Sequence, residues 1–259
     1  MSYETIKLDI SANGVAILTL NQPDSGNTLT SLMRAEVTDA ARQAEAAARV
    51  LVITGSGAVF CSGQDLSDRE NLDNLDLERT LRDEYGPMLK AIYDCRIPTL
   101  AAVNGLAAGG GANLALAADV VIAKDCASFQ QPFSRIGLIP DAGGTYWMTR
   151  NMGQAKAMGA ALFGELISAT QADQWGLIWE AVPDEAFTSA VKARALQLAK
   201  GPTLAYKHMK RAIRESWSND LQTQLENEAR HQGRVGKSRD FKEGVVAFLE
   251  GRSPHFEGR

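Results

Sequence analysis

The segment Ala101-Ala102-Val103-Asn104-Gly105-Leu106-Ala107-Ala108-Gly109-Gly110-Gly111-Ala112-Asn113-Leu114 constrains this chain more than any other. An apolar run ends in a glycine-dense turn, which opens into an Ala/Leu-rich helix. Three consecutive glycines let a ligand lie against bare backbone. The first turn of the helix offers N–H groups that have no partner inside the helix. Such a turn is a site for a developing negative charge.

Apolar runs and helical periodicity alternate around it. Gly14 to Leu20 reads as a buried strand closed by the turn cluster Asn21-Gln22-Pro23-Asp24. Thr30 to Arg49 has apolar residues at helical spacing, and Val50 to Thr54 is a second buried strand closed by Gly55-Ser56-Gly57. Asn71 to Arg96 is charged and periodic, with Gly86-Pro87 predicted to break the helix. Thr99 to Val103 and Val120 to Ala123 are further strands, and Thr145 to Arg150 starts a helix. This alternation predicts an α/β fold with mostly parallel strands. From Ala155 onward helices dominate, interrupted by a strand-like Leu177 to Val182. Pro202 opens a last helical region, Thr203 to Leu249, with more apolar positions than a solvent-facing helix needs. We expect a core of residues 1–200 and a helical tail of residues 201–259 within one domain.

Several chemistries are excluded or weak. A net charge of −4 gives no electrostatic reason to expect nucleic acid or an anionic membrane. Three widely spaced cysteines, Cys61, Cys95 and Cys126, form no ligand pattern and read as reduced thiols of a cytoplasmic protein. No signal peptide and no membrane-spanning run is expected. Gly233 to Ser238 looks like half a P-loop, but His231 stands where its leading glycine belongs. Neither a G-x-G-x-x-G nor a G-x-S-x-G motif is present. His208, His231 and His255 all lie in the tail and read as surface or interface residues, with no metal set.

Three glycine-bounded loops remain: Phe60-Cys61-Ser62-Gly63-Gln64-Asp65-Leu66, Asn104 to Gly111, and Ile136-Gly137-Leu138-Ile139-Pro140-Asp141-Ala142-Gly143-Gly144-Thr145. Ligands collect outside the carboxyl ends of strands in α/β sheets, so these loops suggest one shared pocket. In order and spacing they resemble the crotonase (enoyl-CoA hydratase/isomerase) superfamily over essentially the whole chain. The resemblance implies a spiral of ββα turns followed by helices that assemble trimers or dimers of trimers. It implies an acyl-CoA substrate, no separate cofactor, and a thioester enolate held by two backbone N–H groups. By motif position those donors fall on Gln64 and Gly110. Ser62, Asp65, Leu66 and Gly109 would lie along the coenzyme A thioester, with Asn113 and Phe133 shaping the acyl pocket. Arg252 and Lys242 are solvated by default, with coenzyme A phosphates across a subunit interface as the alternative.

The chain departs from the hydratases of that family at two positions. Asn113 follows the triple glycine and Phe133 follows Gln131-Pro132, where hydratases carry the glutamates that activate water. One acid stays in the third loop, Asp141. Aspartate before a helix is usually an N-cap, but beside two oxyanion donors it fits a proton shuttle, giving a 1,3-shift. The pattern Phe133 to Thr145, with the first two loops and the ending Gly251 to Phe256, resembles the isomerase branch of the family, which implies rearrangement of an aromatic-ring epoxide or a shift of an enoyl double bond. A broad hydratase, a dehalogenase or hydrolase, and a non-catalytic acyl-CoA- or RNA-binding protein are the competing readings. The dehalogenase reading needs an activating histidine in the pocket, and no histidine precedes His208.

Overall fold

The computed structural model describes residues 3–64 and 76–259. Its ten strands are β1 (Ile6–Ile10), β2 (Val15–Leu20), β3 (Val50–Gly55), β4 (Val59–Cys61), β5 (Thr99–Val103), β6 (Leu106–Ala108), β7 (Val120–Lys124), β8 (Ser128–Gln130), β9 (Leu166–Ser168) and β10 (Glu180–Val182). They form two sheets. The larger runs β1-β2-β3-β5-β7-β10, and the smaller runs β4-β6-β8-β9. Every pairing in the larger sheet is parallel except the β1–β2 hairpin, where Gly14 turns the chain at φ +84°. The strands β3 and β5, with helices or strands on both sides, are apolar almost throughout, as buried parallel strands must be.

The helices of the core are α1 (Ser31–Ala47), α2 (Leu77–Thr80), α3 (Gly86–Tyr93), α4 (Gly110–Leu116), α5 (Gly144–Phe163), α6 (Ala169–Gln174) and α7 (Phe187–Lys200). Three consecutive units repeat one plan: β3 and β4 precede α2 and α3, β5 and β6 precede α4, and β7 and β8 precede α5. Each unit puts its first strand in the large sheet and its second in the small one. This is a spiral of ββα turns, as the sequence resemblance implied. Because β4, β6 and β8 are parallel neighbours, the loops that leave their carboxyl ends are also neighbours.

Three readings from sequence are corrected. Leu106 to Ala108, read as part of a turn, is strand β6, which pairs with β4 and β8. Of Leu177 to Val182 only Glu180–Val182 is strand; Leu177 and Ile178 instead close a turn on the Ala172 carbonyl. Gly86-Pro87 does not break the helix. The wide turn Leu81–Tyr85 carries the chain from α2 into α3, and the Gly86 N–H reaches back five residues to the Leu81 carbonyl. Proline at the second position of α3 needs no N–H donor there.

The tail comprises α8 (Thr203–Glu215), α9 (Leu221–Val235) and α10 (Arg239–Glu250). Asp119 ties α8 to the core: it accepts from Lys210 Nζ (2.7 Å) and Arg214 (2.6 Å), and also from the Thr99 N–H (2.7 Å). Gly233 lies inside α9 and Ser238 caps α10 through the Phe241 N–H, so the P-loop-like stretch is a helix and a helix cap. Phe248 and Leu249 on α10 are 83% and 78% exposed. Among the described residues no helix is long and apolar enough to cross a membrane.

Candidate active site

The first loop begins where β4 ends. The Leu29 N–H donates to the Gly63 carbonyl at 2.8 Å. A trans peptide points its N–H opposite to its carbonyl, so the Gln64 N–H is turned away from Leu29. Gly63 adopts φ +95°, a conformation that side chains resist. A Cβ there would also lie 2.8 Å from the Ala108 carbonyl oxygen and 3.4 Å from the Gly110 nitrogen. The first and second loops therefore touch, with the Gly110 amide at the contact.

The second loop is fixed at both ends. The Gly109 N–H donates to the Gln130 carbonyl (2.9 Å), and the Gly109 carbonyl accepts from the Asn113 N–H (3.1 Å). By the same trans geometry, the Gly110 N–H points back out of the start of α4. Gly109 holds φ +51°, and the Phe133 ring stands 3.6 Å from where its Cβ would be. The three glycines do different work. Gly110 lies under the Tyr85 ring. Gly111 packs on the Cys61 carbonyl and on its Sγ, 2.6 Å from a Cβ at that position. Gly111 is small for internal packing, which corrects the expectation that all three present backbone to a ligand.

The third loop carries Asp141. Its carbonyl accepts from the Gly144 N–H (2.7 Å) and from Asn113 Nδ2 (2.8 Å). The residue that caps α5 is Gly143, with no side-chain cap, so the N-cap reading of Asp141 is overturned. The carboxyl is half-buried, and burial raises its pKa to about 6, opposed only by a hydrogen bond from its own backbone N–H. Next to it Ala142 is held at φ +47°, local strain of the kind that collects at functional sites.

Asn113 is fully buried, and its carboxamide is spent on the protein. Oδ1 accepts from Gln131 Nε2 (2.8 Å) while Nδ2 holds the Asp141 turn. This commits the Asn113 carboxamide to bracing the third loop from behind. Phe133, 8% exposed, covers Gly109 from a single tight turn, Pro132–Ile136. Ser62 is exposed, with its N–H on the Gly26 carbonyl. Asp65 and Leu66 lie outside the described residues. Cys61 is a buried thiol pushed up to about 12, unsuited to nucleophilic work.

Sequence reasoning missed Tyr85. Its phenol packs on Gly110, and no motif marked it, because the residue lies in the charged run before Gly86-Pro87. Tyr146 and Trp147 pack with Tyr93, at ring separations of 4.7 to 6.3 Å. They line a cavity of about 410 Å³ between α8 and the core. Arg252 pairs with Glu243 (2.6 Å) and Glu250 (2.7 Å) in its own tail. His208 is buried against His231 (Nδ1 to Nδ1, 2.7 Å), which removes the surface half of its surface-or-interface reading. Among the described residues no cluster of metal-ligating side chains occurs.

Two amides aimed from touching loops, beside a half-buried carboxyl, can hold an oxyanion and move a proton. Together with the ββα spiral, this defines a crotonase-fold protein. The chain belongs to the enoyl-CoA hydratase/isomerase family, whose model matches residues 11–259. A Rhodobacter capsulatus protein named "probable enoyl-CoA hydratase" is 56% identical over 100% of both chains. The Escherichia coli "1,2-epoxyphenylacetyl-CoA isomerase" is 43% identical, over 95% of this chain and 96% of its own. The crystal structure of an enoyl-CoA hydratase from Bacillus anthracis superposes with a TM-score of 0.91 at 30% identity, covering 99% of this chain and 100% of that one. The chain is thus an enzyme of the acyl-CoA hydratase/isomerase type.

Proposed function

We propose that the enzyme is an acyl-CoA isomerase. The Gln64 and Gly110 N–H groups hold the thioester oxygen, and the charge that develops there acidifies the adjacent CH₂. One such backbone donor is worth about 2.7–4 kcal/mol to the transition state. Asp141 removes a proton from the α-carbon and returns one to a distal carbon. The substrates proposed are a ring 1,2-epoxide of phenylacetyl-CoA and 3-enoyl-CoA thioesters, the latter converted to 2-enoyl-CoA. One observation carries this reading. Among the described residues, Asp141 is the single carboxylate that the three loops bring together, while positions 113 and 133 hold a hydrogen-bonded amide and an aromatic ring.

A carboxyl with a pKa near 6 suits a shuttle, since transfer is most efficient when the group's pKa lies near the working pH. Hydration is the second reading, favoured by the name of the 56% identical relative; it requires Asp141 alone to activate water. The exposed Phe248 and Leu249 support assembly of the tail into a trimer. The test is turnover of a 3-enoyl-CoA and a 2-enoyl-CoA side by side, with Asp141→Asn as control. Fast isomerisation, negligible hydration and loss in the variant are expected. Fast hydration, or full isomerase activity in the variant, refutes the assignment.

A further inference from the structure

Tyr85 carries a hydroxyl proton for which the described residues supply no acceptor. The residue is 2% exposed, and its one polar side-chain neighbour among them, the Arg34 guanidinium, can only donate. Burying an unpaired hydroxyl is unfavourable, so the group is better explained by an acceptor that arrives with a ligand.

Its position indicates where that acceptor sits. A Cβ built on Gly110 would lie 3.0 Å from Tyr85 Cε1 and 3.3 Å from its Oη, so the hydroxyl borders the amide proposed to hold the thioester. The carboxylate of Asp141 lies near enough to help burial push the phenol's pKa up. The ring is held in place before any ligand arrives. The Arg34 guanidinium stacks 4.7 Å from its centroid, and Arg34 is itself fixed by Glu84 (2.5 Å), Ser31 Oγ (3.0 Å) and the Leu29 carbonyl. Tyr85 also ends the wide helical turn Leu81–Tyr85, and such turns are frequent at functional sites.

The thioester oxygen already has two proposed donors, the Gln64 and Gly110 amides, matching the two lone pairs of a ground-state carbonyl, so the acceptor left for Tyr85 lies on the acyl group. We infer that Tyr85 is a specificity-determining donor for acyl-CoA thioesters that carry an epoxide, ether or hydroxyl oxygen one or two carbons beyond the α-carbon. This rests on the acyl-CoA reading above and ranks oxygenated acyl groups above the 3-enoyl ones it also proposes.

Calorimetric titration with 2-hydroxyphenylacetyl-CoA and with phenylacetyl-CoA tests the inference, since the two probes differ by one oxygen. The hydroxylated thioester should bind the unaltered protein about tenfold more tightly, the yield of one buried hydrogen bond. In Tyr85→Phe the ratio of the two dissociation constants should fall to about one. A ratio near one in the unaltered protein overturns the inference without recourse to a variant, as does a ratio that survives in Tyr85→Phe. Binding of neither thioester refutes the acyl-CoA reading itself, and the inference with it.

Discussion

Replacing Asp141 by asparagine should stabilise the protein while disabling it, and the two effects should share one pH dependence. The carboxyl's pKa rises from 3.8 to about 6 because burial penalises its charge. A rise of that size sets a ceiling of about 3 kcal/mol on the destabilisation that the ionised group brings. The side chain is only half-buried, so solvent screening lowers the figure to on the order of 1–2 kcal/mol. The folded-state pKa lies above the unfolded one. Stability is therefore full below about pH 4 and is lost as pH rises through about 6. Asparagine has no charge to lose, so its advantage should be near zero at pH 4 and fully present at pH 8. In a chain of this size about 1–2 kcal/mol corresponds to a few degrees in the melting temperature. Unfolding in urea, with m-values compared, reads the same quantity isothermally. Isomerase activity of the unaltered enzyme should run the other way, rising as Asp141 ionises near pH 6. The variant should lose about 100- to 10,000-fold in kcat/KM, the usual yield of a positioned acid–base group. A variant less stable than the parent at pH 8, or a stability difference that does not change between pH 4 and 8, would show that burial is not what raises this carboxyl.

Three further substitutions probe the frame around the site. Gly111→Ala drives a methyl into the Cys61 carbonyl and Sγ, and should cost about 1–3 kcal/mol in denaturant unfolding. Asn113→Glu places a carboxylate in a fully buried position whose partners are Gln131 Nε2 and the Asp141 carbonyl. It should destabilise by about 2–4 kcal/mol and leave hydration of a 2-enoyl-CoA unimproved; a gain in hydratase activity would contradict the placement of Asn113 behind the loop. Asp119→Ala leaves Lys210 and Arg214 without their shared carboxylate. The expected loss is about 3 kcal/mol, and amide exchange should accelerate in α8 before it does in the large sheet.

The chemistry of the loops could be read in one dimension because it is local. A glycine run, a proline before an aspartate and a helix start are determined by neighbours within a few residues, so the three loops stood out before any fold was known, and the family resemblance then singled out Gln64 and Gly110 within them. The long strands β3 and β5 were equally plain, since five or six apolar residues in a row need cover on both faces. The short strands β4, β6 and β8 were not. Three residues carry no period, and what makes them strands is their mutual pairing, a contact between segments more than 20 residues apart.

Those short strands bring the three loops together, and pairing across the spiral likewise separated alternatives that composition left open. Whether Asp141 capped a helix depended on Gly143 taking that place. What the Asn113 carboxamide bonds depended on Gln131 and the Asp141 carbonyl being brought to it. Tyr85 gave no local signal at all, because what marks it is a hydroxyl without an acceptor among the described residues and the glycine it covers. Residue types and spacing carried the family, since its loops follow from backbone freedom and side-chain chemistry at single positions. Burial and long-range contact decided the surroundings of each candidate group, because desolvation and hydrogen-bond satisfaction exist only once distant segments have packed.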